Sequence, residues 1–487
     1  MQAKLHSIPF KLIILFILLI RFEAIGQDAI GAANSNYCPT NSVVINPSSM
    51  ANSKTFLDIN LVGFGAFVNN NVAFIGDNSI LNTIRGTYKT ELLADARKPV
   101  GHFYNRNFIA GPGATWNKGD HSIGLAFNVR SHSSGIDIPP FVAPYIVNGV
   151  KFYTAQQNKD YSAQNIRIGS AHFAELKLSY ANTFYKKGKD MITGGISFKK
   201  FYTMGGGAAN IYDLSFNVRD SNTASIYHME GDFMNTPDFT VFSGKGGMGL
   251  DLGVTYAKML GQCSGYFPHS KKNGCRYVPY QYKIGLSIID IGSIKFKEDS
   301  YKFAGYDISN FDWENYSDAD TIKENHIDLF ANQEEDIGSG RVTKTQRIKL
   351  PTFISAQFDY NIWSSIFYVN ATIIQSLPQS INKFAVHRPN SLSVTPRFES
   401  KLVDFSIPFS VYRYTSPQLG LSLRVGPITI GSDKFVNWFF NKDVYGGDIY
   451  FYAKIPIKYH PDCRKQLKSK SKKSLAKMLK SNTNCTY

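Results

Sequence analysis

A chain of 487 residues with formal charge +16 and 14% aromatic residues is long enough for several soluble domains. Beyond its N-terminal segment, no apolar run approaches the roughly 20 residues of a membrane helix, which excludes a helical membrane protein. Phe (36) and Tyr (28) far outnumber Trp (4), and they alternate with polar residues, as in barrels whose apolar residues come one per two.

The chain opens with nine apolar residues, Leu12 to Ile20, behind Lys4 and Lys11 and ahead of Ala24-Ile25-Gly26. This is the pattern of a secretory signal peptide over 1–26, with the mature chain starting at Gln27. Residues 27–55 precede the first strand and are expected in the periplasm or plugging a lumen. Residues 56–460 carry strand periodicity throughout. Ala174, Leu176, Leu178 and Tyr180 share one face, and Phe173, Glu175, Lys177 and Ser179 the other. Ile192, Ile196 and Phe198 oppose Thr193, Ser197 and Lys199. Tyr282, Ile284, Leu286 and Ile288 oppose Lys283 and Ser287. Ile354, Phe358 and Tyr360 oppose Ser355, Gln357 and Asp359, and Ile449, Phe451, Ala453 and Ile455 oppose Tyr450, Tyr452 and Lys454. These runs last about 10–14 residues, beyond the roughly 5–6 of soluble strands and matched to a tilted membrane strand.

Connections alternate long and short, as barrels require. The long ones are read at 69–106, 131–169, 204–230, 263–275 and 377–390, with an acidic one between 305 and 336. The short ones are read at 117–120, 186–189, 244–246, Gly292, 361–363 and 401–404. The fold class predicted is all-β: a transmembrane antiparallel β-barrel of about 14–16 strands, with long extracellular loops and short periplasmic turns. Ten polar residues are expected to face the lumen: Asp58, Asn60, Arg130, Glu175, Lys177, Lys199, Asp251, Lys283, Asp359 and Lys454. Their mixed signs point to ion pairs filling the interior, because Lys or Arg facing lipid costs about 2–4 kcal/mol at midplane.

Two segments stand apart by charge. From Gly305 to Asp336 ten acids face Lys323 alone, a net −9. Residues 461–487 hold eight basic residues against Asp462, a net +7, and read as a periplasmic tail for anionic lipid or a periplasmic or secretion-system partner. Nucleic acid is not an expected partner in this compartment. Of the five cysteines, Cys263 with Cys275 and Cys463 with Cys485 are the simplest disulfide pairs, leaving Cys38. No cysteines have short ligand spacing, so no metal site is expected. Ser243-Gly-Lys245-Gly-Gly-Met-Gly249 leads into a strand instead of a helix, and so is a turn and not a phosphate loop. The histidines at 102, 121, 132, 172 and 228 sit in no nucleophile motif, so neither an enzyme nor a cofactor is expected.

Three stretches carry a resemblance. They are Gly31-Ala-Ala-Asn-Ser-Asn with Ile45-Asn46-Pro47-Ser48-Ser49-Met50-Ala51 and Phe56–Gly63; Gly249-Leu-Asp251-Leu-Gly253; and Gly420–Asp433. Together they resemble an uncharacterised family of Bacteroidota outer-membrane barrels. The Asn46-Pro47 stretch is similar to the segment near the start of long-chain fatty-acid transporters and of PorV-type barrels of type IX secretion, with Ser48-Ser49-Met50 replacing Ala-Gly-Leu or Ala-Gly-Met. The resemblance implies one full-length barrel in the outer membrane. The function expected is a channel or transporter-like barrel for a small hydrophobic ligand. The alternative is a structural or secretion-associated scaffold holding a partner by its loops or tail.

Overall fold

The computed structural model describes residues 29–86, 91–148, 156–220, 223–235, 246–270, 277–296, 300–304, 308–312, 346–380, 383–461 and 463. Fourteen antiparallel strands close on themselves. They are β1 (Leu57–Asn70), β2 (Gly101–Lys118), β3 (His121–Ile138), β4 (Lys159–Lys187), β5 (Asp190–Val218), β6 (Gly246–Met259) and β7 (Tyr280–Phe296). Then come β8 (Phe353–Trp363), β9 (Phe367–Ser376), β10 (Ser391–Glu399), β11 (Val403–Ser406, resumed at Phe409–Tyr412), β12 (Ser416–Leu419, resumed at Leu421–Val425), β13 (Ile428–Ser432) and β14 (Asp448–Ile457). The barrel closes because β1 pairs with β14 on one side and β2 on the other. Closure leaves no unpaired strand edge exposed to lipid.

The period-two pattern sets the two faces. Leu176, Leu178 and Phe198 stay 40%, 52% and 58% exposed on the outer wall, while Glu175, Lys177 and Lys199 fall to 5% or less inside. The outer face is an apolar band carried by every strand, including Leu125, Leu286, Phe358, Val394, Leu423 and Ile455. Among the described residues no helix is long and apolar enough to cross a membrane.

Four connections differ from the sequence reading. The stretch 204–230 is not a loop, because β4 and β5 are each 29 residues long and pair through it. At about 3.3 Å per residue such strands run roughly 95 Å, several times a hydrocarbon core of about 30 Å. The hairpin therefore extends far beyond the membrane on the side away from the chain ends. Gly205-Gly206-Gly207 reads as a loop signal, yet a Cβ on Gly206 would meet Ser170 O at 2.7 Å and the Phe296 ring at 2.9 Å. Thr223–Asn235 returns along the outer half of β5, and β6 takes over pairing on its inner half, so Gly246 opens a strand instead of closing a turn. Gly292 lies inside β7, beside a bulge between Ile288 and Ile291. The described part of the 260–279 connection lies at the end of the barrel where β1 starts, where the Cys263 N–H donates to Gly188 O and the Gly119 N–H to Pro268 O.

That placement also corrects the expected Cys263–Cys275 bridge. Cys263 is a buried free thiol, with Sγ 3.1 Å from Gly188 O and 3.0 Å from Asp190 O, and burial raises its pKa. Cys38 is free too, and Cys463 is disulfide-bonded. Cys275 and Cys485 lie outside the described residues, as do the acidic 313–345 stretch and the tail beyond Cys463.

Residues 29–55 lie inside the barrel. They form α1 (Ile30–Ala33), α2 (Pro39–Ser42) and a 3-10 turn at Pro47–Met50, each mostly buried. Ala29 and Ala32 pack on Tyr450 and Tyr452, Ile30 on Ile289, Phe353 and Ile374, and Val43 and Met50 on Ala181. A small sheet of Ala73–Asn78, Leu92–Ala94 and Lys442–Val444 stands outside the far rim.

Candidate functional site

The lumen is organised around the inserted segment, and its tightest contact is at Asn46-Pro47-Ser48. Gly195, Gly253 and Gly285, on β5, β6 and β7, face this turn. A Cβ on the first would overlap Pro47 and Ser48, and a Cβ on the second or third would overlap Asn46. Three glycines thus form a seat that any larger side chain would fill. The Asn46 amide donates to Gln357 Oε1 at 2.9 Å, its own Oδ1 accepts from the Ser48 N–H at 3.0 Å, and Ser287 Oγ donates to Ile45 O.

Carboxylates on the wall hold the rest of the segment by backbone N–H and side-chain hydroxyl groups. Asp433 accepts from the Ile30 and Gly31 N–H groups at 3.0 and 3.3 Å, and Tyr450 OH donates to it. Asp404, paired with Arg424 at 2.5 Å, accepts from Ser35 Oγ at 2.7 Å. Asp58 accepts from Thr40 Oγ1 at 2.6 Å, and Lys454 lies 3.5 Å from Asp58. Two of the ten expected lumen residues, Asp58 and Lys454, are therefore brought together at α2.

Two more, Lys283 and Asp359, belong to a cluster nearer the end of the barrel where β1 starts. Arg397 contacts Asp359 at 3.0 Å and Glu399 at 2.6 Å, and Tyr280 OH donates to Asp359 at 2.6 Å. The inserted segment completes this cluster. Asn36 donates to Glu399 through its backbone at 3.0 Å, Lys54 reaches Glu399 at 3.1 Å, and Lys283 donates to Asn36 Oδ1 at 3.0 Å.

Farther out, Arg130, Glu175, Lys199 and Asp251 converge on Asp290. Arg130 contacts Glu175 at 2.7 Å and Asp290 at 2.6 Å, and Lys199 contacts Asp251 and Asp290, each at 2.6 Å. The β7 bulge makes this possible. It turns both Ile289 and Asp290 inward, with Asp290 at φ 59° and its N–H donated to Asp251. Lys177 lies beside this cluster, 5% exposed.

Asn60 does something different. Register is lost at Leu61–Val62 on β1, Gly111–Pro112 on β2 and Phe127 on β3. Pro112 brings no N–H to the ladder, and Asn60 Nδ2 instead satisfies the carbonyls of Ala110 at 3.3 Å and Gly111 at 2.8 Å.

Between this stretch and α2 lies a cavity of about 90 Å³. Its lining combines apolar side chains, Val44, Phe108, Ala110, Ile289, Phe353 and Tyr452, with charged ones, Arg106, Arg130, Glu175, Lys177, Lys199 and Asp290. His132 lies between Arg106 (3.3 Å) and Arg130 (3.1 Å). Sequence reasoning missed Asp290, Arg106, Arg397, Glu399, Asp404, Arg424 and Asp433. For Arg424 and Asp433 a signal existed, since both lie in Gly420–Asp433; Asp290 depends on a bulge that periodicity does not show. Among the described residues no group of three His, Cys, Asp or Glu side chains is placed to hold a metal ion.

Outside the membrane band, Asp95 accepts from Arg97 Nε at 2.8 Å and Tyr445 OH at 2.7 Å on the outer small sheet. The Arg97 guanidinium, with help from Tyr445, holds this carboxyl well below the usual range.

Solved structures to which this chain is similar include a toluene transporter of Ralstonia pickettii, TbuX, at 9% identity and TM-score 0.38, covering 89% of this chain and 97% of that one. A FadL homologue of Pseudomonas aeruginosa matches at 10% identity and TM-score 0.41, covering 90% and 99%. The P. putida toluene transporter TodX matches at 9% identity and TM-score 0.34, covering 85% and 91%. No curated protein matches the sequence. A family model matches residues 47–433, from the proline of the glycine-seated turn to the aspartate that holds α1, and the chain belongs to this family of unknown function, DUF5723.

Proposed function

We propose that this protein is a non-enzymatic, transporter-like barrel of the outer membrane, exported by its N-terminal signal segment, that holds a small ligand in its lumen. The observation that carries this reading is the cavity of about 90 Å³, lined by both apolar and charged side chains. Concave sites with mostly apolar linings and a few placed polar groups are where small molecules bind. The inserted segment fills the barrel axis beside the cavity, whereas the wall next to it lacks ladder hydrogen bonds at Gly111–Pro112. In this reading the ligand exchanges through that part of the wall.

The test has two parts. Membrane fractionation places the protein in the outer membrane, with a folded form that migrates differently on unboiled gels. Equilibrium binding to the detergent-extracted barrel then detects a small amphipathic ligand, and Ala126→Phe, which fills the cavity from β3, abolishes binding while the gel shift persists. Recovery in the soluble periplasm, or binding unchanged in Ala126→Phe, would contradict the proposal.

A scaffold reading has its own observation. The β4–β5 hairpin, 29 residues on each strand, projects well past the membrane and offers a partner-sized surface. Shortening that hairpin would then release a co-purifying protein without altering ligand binding.

A further inference from the structure

The cavity holds an amine that no acceptor touches. Lys177 is 5% exposed and lines the cavity, yet among the described residues its Nζ has no hydrogen-bond or ion-pair partner. Its partner across the strand pair is Lys199, and like charges directly opposite repel. Lys199 is not available to share acceptors, because Asp251 and Asp290 both contact its own ammonium at 2.6 Å. Glu175, two residues from Lys177 on the same face, is committed to Arg130 at 2.7 Å and to Asn128 at 3.1 Å. A buried ammonium is stable only when it is paired and hydrogen-bonded.

From this geometry we infer that the cavity binds a small monoanion with a short apolar tail, such as a short-chain carboxylate, whose anionic group accepts from Lys177. This rests on the cavity being a ligand site, as proposed above, and adds the ligand's chemistry. The apolar part of the lining, Val44, Phe108, Ile289, Phe353 and Tyr452, receives the tail. The volume of about 90 Å³ limits that tail to about one carbon, since a cavity of roughly 150 Å³ accommodates the ring of benzene. The site reads both charge and tail, so a bare inorganic anion satisfies only half of it.

The experiment is calorimetric or ligand-observed binding of acetate to the full, detergent-extracted barrel, beside its neutral analogue acetamide. Wild type is expected to bind acetate and to discriminate against acetamide. Lys177→Met weakens acetate about ten-fold or more, the loss of a charge-assisted hydrogen bond, while Lys177→Arg retains it. The unboiled gel shift reports that each variant is folded. Equal acetate affinity in wild type and Lys177→Met would overturn the inference. Equal binding of acetate and acetamide would overturn it as well, while leaving the cavity as a ligand site. Chloride displacing acetate at equal concentration would overturn it by showing a site for charge alone. Binding of neither compound by wild type or Lys177→Arg would remove both the inference and the reading beneath it.

Discussion

Two clusters of buried charge share this lumen, and they end differently. Around Arg397, the inserted segment supplies the missing partners: Asn36 and Lys54 reach Glu399, and Asn36 accepts from Lys283. Around Asp290, no residue of the inserted segment completes the set; a cavity lies there instead, and Lys177 faces it without an acceptor. Both clusters sit on alternating strands of similar composition. The difference is set by where the 29–55 segment packs, so the segment completes the charge cluster at one end of the lumen and leaves a cavity beside the other.

The sharpest way to test that contrast is to remove one ammonium from the outer cluster at a time. Lys199→Met breaks two contacts of 2.6 Å and leaves Asp251 and Asp290 short of charge. Breaking such a buried pair costs about 3–5 kcal/mol, read as a lower denaturant midpoint. Lys177→Met breaks no ion pair and is expected within about 1 kcal/mol of wild type. Comparable losses in both variants would erase the distinction between a completed and an incomplete cluster.

The wall gives the next effect. Leu178 is 52% exposed on the outer face, so Leu178→Arg is expected to cost about 2–4 kcal/mol if it lies near midplane. Lys177→Leu, one residue away and inward, is expected to be milder. Reversed effects would shift the register by one residue.

Seating of the inserted segment comes third. Gly253→Val places methyls where Asn46 and Pro47 lie. Overpacking of this kind costs about 1–3 kcal/mol, and the variant is expected to expose residues 29–55 to added protease while the barrel stays folded. Unchanged protection would mean that the glycine seat does not position the turn.

The smallest effect belongs to the outer sheet. Asp95 has its pKa lowered by Arg97 and Tyr445, so its contribution is present above the ordinary carboxylate pKa of about 4. It is lost as pH falls from there through the depressed folded value. Amide exchange in Ala73–Asn78 and Leu92–Ala94 is expected to quicken between pH 5 and pH 3. Exchange that follows only the intrinsic pH dependence would contradict this. Arg97 is 71% exposed, so solvent screening keeps the change local.

Much of this architecture is legible in the sequence because a strand in a barrel has one obligatory rule, polar in and apolar out. Glu175, Lys177 and Lys199 face inward for that reason, as do Asp58, Asp251, Asp359 and Lys454. What period two cannot show is where it is suspended. The bulge that turns Asp290 inward inserts residues into β7 without any turn signal. Gly205-Gly206-Gly207 reads as a loop because glycine is common in loops, whereas here it lets β5 pass Phe296. The seat of Gly195, Gly253 and Gly285 joins residues on three strands, a relation that no local window contains. The Cys263–Cys275 pairing failed on the same ground: proximity in sequence gave no hint that Cys263 would be buried against Gly188 and Asp190.

The account depends most on the lumen being closed by residues 29–55. Planar-bilayer conductance of the purified full-length barrel, beside a variant lacking 29–55 that still shows the folded gel shift, tests this directly. The expected result is no steady current through the full-length protein and stable open channels through the variant. Steady conductance of equal size in both would show that the segment does not close the barrel.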